Sequence, residues 1–337
     1  MPISLVGSEM CIRDRFIMTG VVFKSTGSSY TVKSTCGKFY NCKIKGIFRV
    51  SGITSTNPIA VGDIVDFELL NEGDFVTGLI YKIHNRNNYI VRKSVNLSKQ
   101  IHIIASNIDC AFLIVTIKNP KTFLSFIDRF LATSQAYGVE TILLFNKIDI
   151  YNTNEIEFVN NLIDLYSKVG YRCLKISALK YKNIHLLRKL MKNKTCLVSG
   201  HSGVGKSTLL NSLQPDLNLS TSDLTKQHNQ GQHTTTFAEM YELDFGIRII
   251  DTPGIKGFGI VNMKKNEIGD YFPEIFKIKI NCKFKNCTHV DEPKCAVKKA
   301  VYSKEIAASR YENYLQMFLD SGDTVSYTHL TLPTISV

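Results

Sequence analysis

The chain has 337 residues, 44% of them hydrophobic and 21% charged, so it is long enough to bury the cores of two or three domains. No apolar run reaches membrane-spanning length, and Glu9, Arg13 and Asp14 interrupt the start of the chain, which argues against a signal peptide and favours a cytoplasmic protein with no membrane partner. The formal net charge of +12 favours a polyanionic partner over a merely solvated basic surface, and the nine cysteines are expected as metal ligands or buried side chains rather than disulfides.

The two ends of the chain look foreign to the rest. A DNA sequence that encodes Met10 to Asp14 has a reverse complement that encodes Val325 to His329, which is typical of adapter sequence read through at both ends of a fragment. We therefore expect residues 1–17 and 325–337 to be artefacts. On this reading the natural start is Met18, and the natural C-terminus is missing beyond about Thr324.

Residues 18–95 contain short alternating stretches broken by Gly, Ser and Asn-Pro turns, which predicts a small OB-like β-barrel. No acidic residue occurs between Met18 and Gly62, and basic side chains alternate there with aromatic ones. They are Lys24, Lys33, Lys38, Lys43, Lys45 and Arg49, with Phe23, Tyr30, Phe39, Tyr40 and Phe48. This mixture favours an RNA-binding surface, although the rings could instead fill the barrel. Cys36 and Cys42 are expected as packing residues.

After a connector at 92–100, apolar strands alternate with helical segments. The predicted strands are 109–117, 140–145, 172–177 and 195–199, and the predicted helices are 123–137, 155–169 and 184–191. This order predicts an α/β domain with a mostly parallel sheet and ligand sites at the carboxyl ends of its strands. Three cysteines fall within the strands and are expected in the core: Cys110, Cys173 and Cys196.

Two strand ends carry residues suited to reading a base. Asn146-Lys147-Ile148-Asp149 follows one strand, and Ser177-Ala178 ends another. The Asp149 carboxylate can accept from both N1–H and the N2 amine of guanine, a pair of donors that adenine lacks. Asn146 would brace the loop and Lys147 would pack its stem along the base. The alternative is an ordinary turn.

A glycine-rich loop follows the run 195–199 and precedes a helical pattern. Its spacing, Gly200-x4-Gly205-Lys206-Ser207, is that of a phosphate-binding loop at a helix N-terminus. Lys206 would neutralise the β- and γ-oxygens and Ser207 would bind Mg²⁺, unless the match is due to chance. The predicted nucleotide-binding residues of this loop are Gly200, His201, Ser202, Gly203, Val204, Gly205, Lys206, Ser207 and Thr208.

The polar stretch 214–236 is too long for a simple connector and predicts a mobile switch. One of its last three threonines should bind Mg²⁺ and meet the γ-phosphate, and Thr235 is taken as the candidate. The next strand leads to Asp251, which would act through the water shell of Mg²⁺, and to Gly254, whose N–H would sense the γ-phosphate.

Catalysis needs a group that orients the attacking water. Ras-like GTPases carry a glutamine directly after the second-switch glycine, but here that position is Ile255, which cannot hydrogen-bond through its side chain. We predict His233 in the first switch for this role, together with Lys206 and Thr235 as catalytic residues. The alternative is that His233 stabilises its loop or contacts RNA.

The last segment contains Cys282-x4-Cys287-x-His289-x5-Cys295, a Cys₃His set that predicts a tetrahedral zinc site rather than accidental surface thiols. Seven lysines surround it: Lys277, Lys279, Lys283, Lys285, Lys294, Lys298 and Lys299. They favour an RNA-facing zinc module, followed by a helix from about Val297 to Leu319.

The order of these motifs resembles one known family. The base-reading residues precede the phosphate loop, whereas ordinary GTPases place them after it, and an OB-like domain and a Cys₃His module flank the permuted domain. In this arrangement the chain resembles the RsgA (YjeQ) family of small-ribosomal-subunit biogenesis GTPases. The predicted domains are an OB-like barrel at 18–95, a circularly permuted GTPase domain at 96–265 and a zinc-binding helical domain at 266–324.

The resemblance implies hydrolysis of GTP to GDP, stimulated by the small (30S) ribosomal subunit, and binding to its rRNA near the decoding region during late maturation. It further implies Mg²⁺ and one structural Zn²⁺, and we expect a monomer. Two alternatives stay open. One is an RNA-binding scaffold whose nucleotide site hardly turns over, and the other is a permuted GTPase of large-subunit assembly.

Overall fold

The computed structural model describes residues 17–44, 58–72, 75–93, 101–215, 238–251 and 264–320. It divides into two compact units. The first contains residues up to 110, 186–199 and 213–255, and the second contains 111–185, 200–212 and residues from 256 onward. Each unit is described by itself.

The first unit contains a closed five-stranded barrel, as predicted. Its strands are β1 (Ile17–Ser25), β2 (Tyr30–Ser34), β3 (Phe39–Ile44), β4 (Ile64–Glu72) and β5 (Phe75–Ile83). They pair in the order β1-β2-β3-β5-β4, and β4 returns to β1, so the barrel has no free edge strand. Its interior is filled by Val22, Tyr30, Val32, Cys42, Ile59, Val65, Phe67 and Ile80.

The structure corrects part of the predicted RNA surface on this barrel. Tyr30 lies in the barrel core and Phe23 is also buried, so these two rings are not available for stacking. Lys24 pairs with Glu239 at 3.3 Å, and Lys33 pairs with Glu242. Phe39 is 54% exposed, so it keeps a free face. Lys45, Phe48 and Arg49 lie outside the described residues.

The cysteines of this region differ from each other. Cys42 is buried between the strands, as predicted, but the prediction for Cys36 is wrong because its thiol is exposed in the β2–β3 turn. There Cys36 lies 3.0 Å from the Ser34 hydroxyl, and the two hydrogen-bond locally instead of packing in the core.

The connector predicted at 92–100 is wrong at its first two residues. These belong to β6 (Tyr89–Lys93), which forms an antiparallel ribbon with β7 (Ile101–Ser106). Ile101, Ile103, Ile104 and Ala105 favour a strand, but His102 interrupts them and polar residues lie on both sides of the segment, so the sequence pattern is weak.

The same unit contains three further strands, β11 (Thr195–Ser199), β12 (Glu239–Leu243) and β13 (Ile247–Asp251). β11 and β13 run parallel, β12 pairs antiparallel with β13, and β12 also pairs with barrel strand β1 at Lys24. Through β12, the barrel is thus joined to the sheet formed by β13 and β11.

The second unit contains three parallel strands in the order β10-β9-β8, as the alternating pattern predicted. They are β8 (Cys110–Val115), β9 (Thr141–Phe145) and β10 (Arg172–Lys175), and β8 and β9 are buried along their whole length. Buried parallel strands read as continuous apolar runs, which is why the sequence revealed them. Cys110 and Cys196 are buried, whereas Cys173 is only half-buried.

The helices of the nucleotide-binding region are α1 (Leu124–Ala136), α2 (Thr153–Val169), α3 (Ile184–Met191) and α4 (Lys206–Leu213). Helix α2 begins at a capping box, in which the Asn152 side chain accepts from Glu155 N–H and the Glu155 side chain accepts from Asn152 N–H. It ends at Gly170, whose φ of 112° closes the helix.

The predicted helix 297–319 is wrong as a single element. The structure has α5 (Pro273–Ile278), α6 (Ala296–Tyr302) and α7 (Ala308–Asp320), so the chain turns between α6 and α7. Lys304 has φ of 60° there, and the turn buries Ile306 in the core of the module. No Gly or Pro marks this break in the sequence.

A buried charge cluster holds α7 against α1. Arg310 on α7 is 1% exposed, Asp128 on α1 is fully buried, and their side chains meet at 2.7 Å. Arg310 also binds both carboxylate oxygens of Glu274, at 2.6 and 3.0 Å. Tyr166 and Asn313 donate to Asp128, so both carboxylate oxygens have partners.

No helix within the described ranges is long and apolar enough to cross a membrane.

Candidate functional site

The phosphate loop joins the end of β11 to the start of α4 and depends on glycine at tight positions. Gly200 has φ of 154°, and a Cβ there would lie 2.9 Å from the Ile114 carbonyl oxygen. Gly205 has φ of 98°, and a Cβ there would lie 2.7 Å from Asn146 Nδ2. L-residues rarely adopt either conformation, so both space and backbone geometry require glycine.

The Lys206 ammonium folds back over the loop. It donates to the carbonyl oxygens of Gly200 at 2.6 Å and His201 at 2.8 Å, so it lies over the loop backbone. The His201 ring stacks on Phe126, with ring centroids 4.0 Å apart. Burial and the charge of Lys206 lower the pKa of His201, which keeps this imidazole neutral near pH 7. Lys206 therefore provides the positive charge of the loop, and the Ser207 side chain beside it is buried.

Asn146 connects the loops that are predicted to read the base to the predicted phosphate loop. Its buried side chain donates to the Val204 carbonyl at 2.9 Å and accepts from Ala178 N–H at 3.1 Å. Lys147, with φ of 64°, donates to the carbonyls of Asn119 and Gly203, and burial lowers its pKa. Predicted residues from three separate stretches of sequence thus meet in one site.

Asp149 is exposed beside these loops and is oriented by Ser177. The Ser177 hydroxyl donates to Asp149 Oδ1 at 2.5 Å and accepts from Lys180 N–H at 3.0 Å. A carboxylate held in this way presents its acceptors in a fixed direction, which is what recognition of two adjacent N–H donors needs.

Sequence reasoning missed Tyr151. Its hydroxyl donates to the Asn146 carbonyl at 2.8 Å and accepts from Ile117 N–H at 3.2 Å, so it ties the end of β8 to the Asn146 loop. Nothing in its spacing distinguishes it from an ordinary half-buried tyrosine. The second residue missed is Asn119, whose carbonyl oxygen accepts from Lys147.

Cys282, Cys287, His289 and Cys295 come together as predicted, with all four donor atoms within 4.8 Å of one another. Cys295 Sγ lies 3.4 Å from His289 Nδ1, Cys282 Sγ lies 3.6 Å from it, and the two sulfurs are 3.9 Å apart. Zinc–sulfur bonds of about 2.3 Å in a tetrahedron place sulfurs roughly 3.8 Å apart, close to the 3.9 Å between Cys282 Sγ and Cys295 Sγ, so the cluster is compatible with Zn²⁺.

The surroundings of the cluster hold its backbone in place. Tyr311 donates to the His289 carbonyl at 2.6 Å, and Tyr314 donates to that of Thr288.

Although burial alone would raise the pKa of Glu292, hydrogen bonds from Thr288 and Val290 hold this pKa at about 2. Burial raises the pKa of the Cys287 thiol to about 12, so ionisation at neutral pH needs a bound cation.

The remaining predicted residues are only partly described. Asp251 ends β13 and is half-buried, and it belongs to the first unit. Thr208 is half-buried on α4, and Ser202 is exposed on the loop. His233, Thr235 and Gly254 lie outside the described residues.

Comparison with protein families finds two matches. A model described as the RsgA GTPase matches residues 83–261, and one described as the RsgA N-terminal domain matches residues 19–80. Together they span the barrel and the loops predicted to bind the base and the phosphates.

Several proteins named small ribosomal subunit biogenesis GTPase RsgA are similar over most of this chain. That of Flavobacterium psychrophilum is 60% identical over 310 residues, which is 92% of this chain and 94% of the relative. That of Bacteroides fragilis is 52% identical over 306 residues, 91% of this chain and 98% of the relative.

Two solved structures share the fold. YjeQ from Thermotoga maritima has a TM-score of 0.74 at 33% identity, covering 91% of this chain and 99% of that one. YloQ, described as a circularly permuted GTPase, has a TM-score of 0.70 at 26% identity, covering 93% and 97%.

Proposed function

The chain belongs to the RsgA GTPase family and is a GTP-hydrolysing enzyme, and from this premise we propose that it acts on the small ribosomal subunit during late maturation. The observation that carries the nucleotide part is the Asn146 side chain, which bonds to both the phosphate loop and the Ala178 loop. The names of the relatives support the ribosomal part.

In the proposed site, Asp149 reads guanine, Asn146 and Ser177 brace it, and the loop 200–208 holds the phosphates. Lys206 neutralises charge on the β- and γ-phosphates as it builds up. Ser207, together with Thr235, would hold Mg²⁺, which supplies charge neutralisation on the phosphate oxygens. Asp251 would act through the water shell of that ion, and the Gly254 N–H would contact the γ-phosphate.

We propose further that the Cys₃His cluster binds one Zn²⁺, that the protein contacts the rRNA of the small subunit, and that it is a cytoplasmic monomer. For the domain boundaries we propose those predicted from the sequence, with the barrel domain at 18–95, the GTPase domain at 96–265 and the zinc module at 266–324. The zinc would have a structural role, because all four positions are protein ligands.

Zinc is expected at one ion per chain in freshly purified protein, measured by elemental analysis. Cys287→Ala removes a ligand and should lose the metal and lower the melting temperature, since metal binding contributes to folding. Cys36→Ala removes an exposed thiol outside the cluster and should keep full metal content. A metal-free wild-type protein, or a zinc-loaded Cys287→Ala variant, would rule the assignment out.

The function is tested by multiple-turnover GTP hydrolysis with and without purified small subunits. We expect turnover to rise on addition of small subunits and to stay at the basal rate with large subunits. An unchanged slow rate in both cases would favour the RNA-binding scaffold, and stimulation by large subunits alone would favour a role in large-subunit assembly.

His233→Ala is expected to lower the stimulated hydrolysis at least tenfold, because Ile255 leaves the attacking water without the usual glutamine. A neutral imidazole would hydrogen-bond the water, and a charged one would stabilise phosphate oxygens of the transition state. GTP affinity and small-subunit binding should stay close to wild type. His185→Ala, at an exposed histidine on α3, is the matched control. If small subunits stimulate His233→Ala as fully as wild type, another group must orient the attacking water.

A further inference from the structure

A short turn next to the base-reading residues exposes four consecutive side chains. Leu179, Lys180, Tyr181 and Lys182 are all exposed, with 65% of Leu179 and 60% of Tyr181 accessible to solvent. Large apolar and aromatic side chains with this accessibility at the tip of a turn have no role in packing. Their exposure therefore suggests contact with a partner.

The turn is rigid although it is exposed. Ser177 and Lys182 exchange two backbone hydrogen bonds, at 3.2 and 3.0 Å, and Lys180 N–H donates to the Ser177 hydroxyl. Asn183 Nδ2 donates to the Lys175 carbonyl at 2.8 Å, which fixes the end of the turn. A preformed turn loses little conformational entropy on binding, so little of the free energy gained by contacts of its exposed ring is lost to ordering the turn.

The charge of the surrounding sequence defines the chemistry of the partner. No Asp or Glu occurs from Leu165 to Pro215, whereas ten Lys and Arg residues do. Within the turn, Lys180 and Lys182 flank Tyr181 on either side. Two cations beside one aromatic ring match a strand of nucleic acid, in which phosphates and a base alternate.

We propose that the turn formed by Leu179, Lys180, Tyr181 and Lys182 is an RNA contact, in which Tyr181 stacks on an unpaired base and the two lysines contact adjacent phosphates. The inference rests on the proposed function in that the RNA is expected to be that of the small subunit. The Ser177 hydroxyl accepts from Lys180 N–H and donates to Asp149, so two hydrogen bonds through Ser177 connect the turn to the guanine-reading carboxylate.

The test uses full-length protein, a fluorescein-labelled single-stranded RNA of mixed sequence, and purified small subunits. Tyr181→Ala should weaken binding of the labelled RNA about tenfold through loss of stacking, and Tyr181→Phe should restore it. Lys180→Gln combined with Lys182→Gln should make the dependence of log affinity on log salt concentration less steep by about 1.4, at about 0.7 for each lost phosphate contact. Lys168→Gln, at an exposed lysine of the same acid-free stretch on α2, should leave the affinity and the salt dependence almost unchanged.

RNA binding by Tyr181→Ala equal to wild type would overturn the inference, whatever the small subunits do. Normal RNA binding with weakened small-subunit binding would also overturn it, because the turn would then contact a ribosomal protein. Weakened RNA binding in a protein that small subunits do not stimulate would support the RNA contact and contradict the proposed function instead. Tyr181→Phe and the lysine variants keep the test decisive if Tyr181→Ala does not fold.

Discussion

Asp149→Asn is expected to lower GTP affinity at least about a hundredfold and to create affinity for xanthosine triphosphate. The Ser177 hydroxyl donates to Asp149 Oδ1, and the carbonyl oxygen of the substituted amide can keep this bond. Its NH₂ group then faces the base, where it opposes a guanine donor but matches the C2 carbonyl of xanthine. Titration with fluorescent GTP and xanthosine triphosphate measures both effects.

Asp164→Asn is the matched control, because Asp164 is exposed on α2 and lies outside the site. It makes the same chemical change and should leave the preference for GTP intact. If Asp149→Asn retained its GTP preference while Asp164→Asn behaved like wild type, base recognition would have to be moved to another residue.

Arg310→Ala is expected to destabilise the fold by about 3–5 kcal/mol, because it leaves a buried carboxylate at Asp128 and a second one at Glu274 without their cation. Urea unfolding followed by circular dichroism measures the loss. Desolvation raises the pKa of Asp128 despite the nearby Arg310, and without Arg310 this carboxyl should take up a proton in the folded state. A carboxyl whose pKa is higher in the folded than in the unfolded state lowers stability as pH rises above its unfolded pKa. The stability lost in Arg310→Ala should therefore be smaller at pH 5 than at pH 8.

Arg129→Ala provides the comparison. Arg129 on α1 pairs with Asp320 on α7, the same two helices, but both side chains are solvent-accessible. An exposed pair of this kind contributes at most about 1 kcal/mol. Equal losses for Arg129→Ala and Arg310→Ala would mean that burial of the cluster does not determine its contribution.

The sequence predicts those parts of the site in which chemistry restricts the residue types over a short spacing. The glycine loop must admit a phosphate and the Cys₃His set must surround one ion, so both motifs are recognisable without knowledge of the fold. Tyr151 and Arg310 are different, because each depends on partners brought together by tertiary structure. Arg310 meets Asp128 across 182 residues of chain, and no local pattern reports such a pair.

Secondary structure follows the same division. β8 and β9 are buried on both faces and read as apolar runs, whereas β12 has only two buried residues among five and follows a polar stretch. The break between α6 and α7 has no Gly or Pro, so helix periodicity alone continues through it. The burial of Ile306 outweighs that local preference.

The pairing of β1 with β12 has a consequence for synthesis of the chain. The barrel can close once residue 83 has emerged, but β12 ends at Leu243, so the register Lys24↔Glu239 cannot form until 160 residues later. At translation rates of about 5–20 residues per second, this delay is roughly 10–30 s. During that interval the Lys24 end of β1 lacks its final neighbour, and its lysine is the type of side chain that discourages unwanted strand pairing on a nascent protein.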